Sequence, residues 1–168
     1  MDPLSIATGS ASLVVLCVKT SASLYSWIDD TRQVDSNVAA LCDEILALSR
    51  VLDAISKTCK RNPQIAAPRT GDGSLWISVK ASLDDCTATL EKMSLMLDEV
   101  QKGEFMGRGF LRRPTKQIKF SSKTKDIVVY KQRVQSYNSA MQSALHMINL
   151  FAFLPTLLLS EFTSLKCS

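Results

Sequence analysis

Residues 34–59 read VDSNVAALCDEILALSRVLDAISKTC, and this stretch decides the fold. Val34, Val38, Leu41, Ile45, Leu48, Leu52, Ile55 and Cys59 step alternately by four and three along it. At 3.6 residues per turn that spacing places all of them on one stripe of a helix, which must be buried against neighbours. Asn62-Pro63 predicts its end, and Pro68, Gly71 and Gly73 mark a loop up to Ser74.

Two further stripes follow. Trp76, Val79, Leu83, Cys86, Leu90, Met93, Leu97 and Val100 repeat the pattern until Gly103. GEFMGRGFLRRPTK, residues 103–116, then reads as a flexible basic loop. Ile127, Tyr130, Val134, Tyr137, Met141, Ala144, Ile148 and Phe151 form the last stripe. Pro155 should kink or end that helix, leaving residues 156–165 for a short extra one.

The segment before residue 34 is different. Asp2-Pro3 has the form of an N-cap with proline at the first helical position. Leu13, Leu16, Leu24, Trp27 and Ile28 fit one broad face, but Val14, Val15 and Val18 widen it almost all round. Such a helix is central to a bundle or close to lipid. A secretion signal would start basic, whereas the first charge here is Asp2. A permanent span would not spend so many positions on Ser, Thr and Lys19. A buried bundle helix and a helix that inserts on demand both remain open. Ala7, Gly9, Ala11 and Ser12 would let it pack closely in either place.

Together these segments predict an all-α, up-and-down four-helix bundle with a short extra C-terminal helix, in one domain covering residues 1–168. The helices fall at about 3–28, 35–61, 74–102, 117–153 and 156–165. A hydrophobic content of 46% against 21% charged residues suits a globular chain and is too apolar for a disordered one.

The chemistry expected is non-enzymatic. No phosphate loop, zinc-protease motif or nucleophile elbow is present, and His146 has no cysteine near it in sequence. Cys17, Cys42, Cys59, Cys86 and Cys167 show no C-x-x-C spacing and read as buried thiols of a reducing compartment. The pairs Asp29-Asp30, Asp43-Glu44, Asp84-Asp85 and Asp98-Glu99 read as solvated charge. No cofactor, metal or small-molecule substrate is expected.

Charge is unevenly placed. Lys102–Arg133 holds ten Lys/Arg against Glu104 and Asp126, a local balance of +8 in a chain of net +4. Arg108, Arg112, Arg113, Lys116, Lys119 and Lys123 lie beside Phe105, Phe110 and Phe120. Anionic lipid suits this composition better than nucleic acid, which is not expected as a partner. At the other end of the last helix, Phe153, Leu157, Leu158 and Phe162 exceed what one stripe needs and mark a candidate partner surface.

MDPLSIATGSASLVVLCVKTSASLYSWIDD followed by DSNVAALCDEILALSRVLDAISK resembles the N-terminal domain of fungal NLR-like (STAND) proteins. The similarity is to the HeLo-like group, also described as the azaphilone pigment cluster protein L N-terminal domain. It is carried by MDPLS, a small-and-apolar first helix and the run L-x-x-E-I-x-x-L-x-x-V-L. The resemblance implies a bundle related to HeLo and MLKL-type four-helix domains, acting in programmed cell death, heterokaryon incompatibility and innate immunity. It further implies self-association and membrane targeting through the first helix, here Leu4, Ile6, Leu13, Val14, Val15, Leu16 and Val18. The expected location is cytoplasmic, with relocation to the plasma membrane on activation. The alternative is an adaptor bundle that recruits partners without touching membranes.

Overall fold

A computed structural model describes the backbone of residues 3–31, 36–62, 73–102 and 114–165. Within these segments, the side chains of Trp27, of residues 100–124 and of residues after 153 are among those not described. Four helices account for the fold: α1 (Pro3–Thr31), α2 (Ser36–Arg61), α3 (Gly73–Lys102) and α4 (Pro114–Leu165). No strand occurs among the described residues.

The three stripes are the core. Val38, Leu41, Ile45, Leu48, Leu52, Ile55 and Cys59 of α2 are all buried. So are Trp76, Val79, Leu83, Cys86, Leu90, Met93 and Leu97 of α3. Ile127, Val134, Tyr137, Met141, Ala144 and Ile148 complete it from α4, with Tyr130 packed against its edge. Val34 and Val100 lie outside the described side chains.

Helix ends follow local chemistry. Pro114 opens α4, where its missing N–H is no loss. At the end of α2 the Asn62 backbone N–H donates to the Thr58 carbonyl at 3.1 Å, and the Asn62 side chain donates to the same oxygen at 3.2 Å. One expectation gives way. Pro155 does not end the last helix: α4 continues through it to Leu165, in place of a separate short helix at 156–165. Proline there removes one backbone donor, and the helix-forming leucines on both sides carry the turn through.

Cross-helix contacts set the directions. Cys42 faces the Ser21 carbonyl and Ser56 the Ala7 carbonyl, so α1 and α2 are antiparallel. Asn37 meets Lys131 and Glu44 meets Gln135 and Asn138, so α2 and α4 are parallel. Asp85 and Thr89 meet Tyr137 while Leu75 lines a groove with Met147, so α3 and α4 are antiparallel. The up-down-up-down order therefore holds, but α1 borders α2 and α3, and α4 borders the same two. The α2–α3 connection, residues 62–72, consequently joins helices on a diagonal.

At 1.5 Å per residue α4, with 52 residues, is about 78 Å long, whereas the other helices reach about 39–45 Å. Its C-terminal turns therefore run past the bundle, at the end where α1 begins. Its first turns stand at the opposite end, beside the close of α1.

Candidate functional site

Helix α1 buries a mixed stripe of large apolar, small and hydroxyl-bearing residues and leaves large apolar residues on its outer face. Its inner stripe is Ile6, Ser10, Leu13, Cys17, Thr20 and Leu24, none of them more than 2% exposed, with Ala7 and Ser21 alongside. The steps along it are four, three, four, three and four, the same alternation as in α2. Its outer face carries Leu4 at 63%, Val15 at 69%, Val18 at 54% and Tyr25 at 52% exposed. Small and hydroxyl-bearing side chains thus share the core face with Ile6, Leu13 and Leu24, while four further large apolar residues point out.

The seven residues predicted to insert into membrane are divided by this arrangement. Ile6 and Leu13 are core residues, Val14 and Leu16 pack partly buried against it, and Leu4, Val15 and Val18 are exposed. The close-packing residues are also redistributed. Ala7 is fully buried, whereas Gly9 and Ser12 are exposed and Ala11 is half-buried. A Cβ at Gly9 would lie 3.9 Å from Leu83 Cδ1, an ordinary contact, so this glycine is not what brings α1 to α3. Ser10, Cys17 and Ser21 take that role, because a short side chain at each lets α2 and α3 approach.

Three of the inner hydroxyls have no hydrogen-bond partner: Ser10 Oγ, Thr20 Oγ1 and Ser21 Oγ. An unpartnered buried hydroxyl costs about 1–3 kcal/mol. Outer hydroxyls behave differently. Thr8 donates to the Leu4 carbonyl at 2.9 Å and Ser23 to the Lys19 carbonyl at 3.2 Å. Across the α1–α2 seam, buried Ser56 donates to the Ala7 carbonyl at 3.0 Å. The seam therefore contains both a satisfied hydroxyl and three unsatisfied ones.

Leu4–Ser26 is long and apolar enough to cross a bilayer, by length and composition. Its 23 residues extend about 34 Å, against a hydrocarbon thickness of about 30 Å. Lys19 lies in its C-terminal third, from which a lysine stem reaches the interface.

The other predicted site residues are less fully placed. Arg108, Arg112 and Arg113 lie outside the described residues. Lys116, Lys119 and Lys123 belong to the first turns of α4, where steps of three and four give them one helical face. Phe153 is 65% exposed, and Leu157, Leu158 and Phe162 sit on the part of α4 that extends past the bundle. An apolar groove of about 180 Å³ runs between α3 and α4, lined chiefly by Leu75, Val79, Met141, Ala144 and Met147.

Two acidic residues do more than meet solvent. Glu44 accepts from Gln135 at 2.9 Å and from Asn138 at 3.3 Å, tying α2 to α4. Asp85 accepts from the Tyr137 hydroxyl at 2.5 Å, and Thr89 Oγ1 lies 2.9 Å from the same oxygen, tying α3 to α4. Burial, then the hydrogen bond to Asp85, raises the Tyr137 hydroxyl above its ordinary range. Burial also pushes the Cys59 thiol up to about 11. It pushes Cys86 up to about 12, with nearby Cys17 and Asp85 adding to the effect. These thiols are neutral core fillers. Among the described residues no group of three or more His, Cys, Asp or Glu side chains converges.

This is an all-helical bundle module whose first helix has membrane-spanning length and an outward apolar face. More narrowly, the chain belongs to the family described as pigment biosynthesis cluster protein PigL, N-terminal, whose profile matches residues 1–165. No curated protein and no solved structure matches it.

Proposed function

We propose that the chain is a membrane-targeting effector module of the fungal NLR-like, HeLo-related kind. Self-association brings copies together, α1 leaves the bundle, and the basic stretch around residues 108–123 holds anionic headgroups. The observation that carries this reading is the outer face of α1. Val15 and Val18 are large, apolar and more than half exposed on a helix long enough to span a bilayer. The lysine-bearing turns of α4 stand at the end of the bundle where α1 closes and connects to α2. Basic groups there would hold that end at the membrane while α1 leaves the bundle. Clustered Lys/Arg contribute about 1 kcal/mol each near an anionic surface.

Leakage of dye from anionic liposomes tests this. Val15 is 69% exposed, so Val15→Glu leaves the closed bundle intact while placing a charge on the face that meets lipid. Wild type should leak dye and V15E should not, with unchanged melting of both. Equal leakage from the two folded proteins refutes the mechanism.

The groove between α3 and α4, with exposed Met147 and Leu150 beside it, favours a second reading, an adaptor bundle that binds a protein partner. That reading predicts indifference to lipid.

A further inference from the structure

We infer that the inner stripe of α1 is an exchangeable seam: it packs on α2 and α3 in the closed bundle and on α1 of other copies in the bilayer. The inference rests on the membrane reading above and adds which face of the inserted helix meets lipid and which meets a second copy of this chain.

Two independent features assign the faces. Ile6, Ser10, Leu13, Cys17, Thr20 and Leu24 alternate steps of four and three, the a/d repeat with which one helix packs along another. Ser10, Thr20 and Ser21 are at least 97% buried and bond to nothing. In hydrocarbon such hydroxyls are satisfied across helix–helix contacts, and short side chains let two backbones come close enough to do so. Ala7, Ser10, Cys17 and Ser21 are short and lie on this face. Leu4, Val15, Val18 and Tyr25 form an exposed apolar strip away from this stripe that suits acyl chains, flanked by exposed Thr8, Ser12 and Lys19. An inserted α1 that turned its outer face to a partner would leave the hydroxyl stripe in lipid. The assigned orientation keeps that stripe between helices, while on the outer side Thr8 and Ser23 already donate to the Leu4 and Lys19 carbonyls. It also gives the unpartnered hydroxyls of the closed bundle hydrogen bonds in the open one, so the same residues weaken one state and hold the other.

Cys17 is a natural reporter, because it sits on the seam and trypsin releases it in peptide 1–19, which contains no other cysteine. The full chain is incubated with anionic liposomes and oxidised with copper-phenanthroline. Peptide 1–19 linked to itself is then quantified by mass spectrometry. A photoreactive probe confined to the bilayer labels the same peptide and reports insertion independently. A Val15→Cys, Cys17→Ala variant moves the thiol to the outer face.

Insertion with a several-fold rise in Cys17–Cys17 linkage over the liposome-free sample, and no such rise for the Val15→Cys thiol, is the expected result. Insertion with linkage through position 15 instead overturns the orientation. Insertion without linkage at either position overturns self-association by α1. Both results leave the membrane reading standing. No photolabelling of peptide 1–19 overturns the membrane reading and this inference together.

Discussion

Thr20→Val should stabilise the protein. Thr20 is fully buried, and its hydroxyl has no partner. Valine has nearly the same shape and carries a methyl in place of the hydroxyl, so the substitution removes a stranded polar group without opening a cavity. Relief of that desolvation is worth about 1–2 kcal/mol. For a domain of this size, 1 kcal/mol moves the midpoint by about 2–4 °C, so Tm should rise by roughly 2–8 °C. Ser10→Ala should add to it, because Ser10 and Thr20 are about 15 Å apart along the helix and share no partner. Ser56→Ala is the control on the same seam. It removes a bond that exists, Ser56 Oγ to the Ala7 carbonyl at 3.0 Å, and should cost about 0.5–1.5 kcal/mol.

The assay is thermal and urea unfolding followed by circular dichroism at 222 nm, with unchanged m-values required before ΔΔG is read. Opposite signs for T20V and S56A are the outcome sought. A T20V protein destabilised by more than ~0.5 kcal/mol would show that the hydroxyl is satisfied, and the strained-seam argument would fall. A second consequence concerns membranes. Each 1.4 kcal/mol added to the closed bundle lowers the open population about tenfold, so T20V should leak dye from anionic liposomes far less than wild type.

Three further outcomes follow from the same geometry. Ser21→Cys places a thiol beside Cys42, whose Sγ lies 3.8 Å from the Ser21 carbonyl, and oxidation should staple α1 to α2; leakage should vanish in the oxidised form and return on reduction. Tyr137→Phe leaves Thr89 buried and without its partner, and should lower stability by about 1–3 kcal/mol with little effect on secondary structure at 25 °C. Alkaline pH should destabilise the bundle. Cys59 and Cys86 keep their protons up to about 11 and about 12, while in the unfolded chain they titrate near 9.0. Their contribution is therefore full below pH 9 and is lost as pH rises toward those values, at about 1.4 kcal/mol per pH unit for each thiol. Urea midpoints measured from pH 8 to pH 11 should fall, and a flat profile would contradict the burial of the thiols.

The helices that were legible were those in which apolar size and burial coincide. In α2, α3 and α4 the described stripe positions are buried or packed against the core, except Phe151 at the far end of the α4 stripe, which is half-buried. In α1 size and burial coincide only in part, and a reading by hydrophobicity finds half of the buried stripe. It grouped Leu16 and Ile28, which are half-buried, with Leu13 and Leu24, which are buried, and passed over Ser10 and Thr20, although Cys17 was read as a buried thiol. The signal was present as the repeat Ile6-Leu13-Thr20 interleaved with Ser10-Cys17-Leu24, seven residues apart in each set. Glu44 and Asp85 were missed for a related reason. A carboxylate at a stripe edge looks solvated until the facing helix supplies Gln135, Asn138 or Tyr137, and no local pattern reports that facing partner. Pro155 shows the converse, since one missing donor was weighed as a stop where flanking leucines carry the helix on.

The small and polar share of the inner stripe of α1 also limits what its release costs the rest. A first helix that buried Val15 and Val18 would forfeit their transfer free energy on leaving, roughly 1.5–3 kcal/mol for each large side chain. Here those side chains already face out, and what α1 withdraws from the core is Ile6, Leu13 and Leu24 together with the small or polar Ala7, Ser10, Cys17, Thr20 and Ser21. A cost also falls on the partners, since Leu83 of α3 and the α1-facing side of α2 lose their cover. α4 touches both of those helices and holds them through Glu44, Asp85 and Tyr137, so the remaining three helices stay joined by bonds that α1 does not share. Opening therefore bares apolar surface on α2 and α3, and a lipid surface or a second copy that covers it lowers the barrier to release.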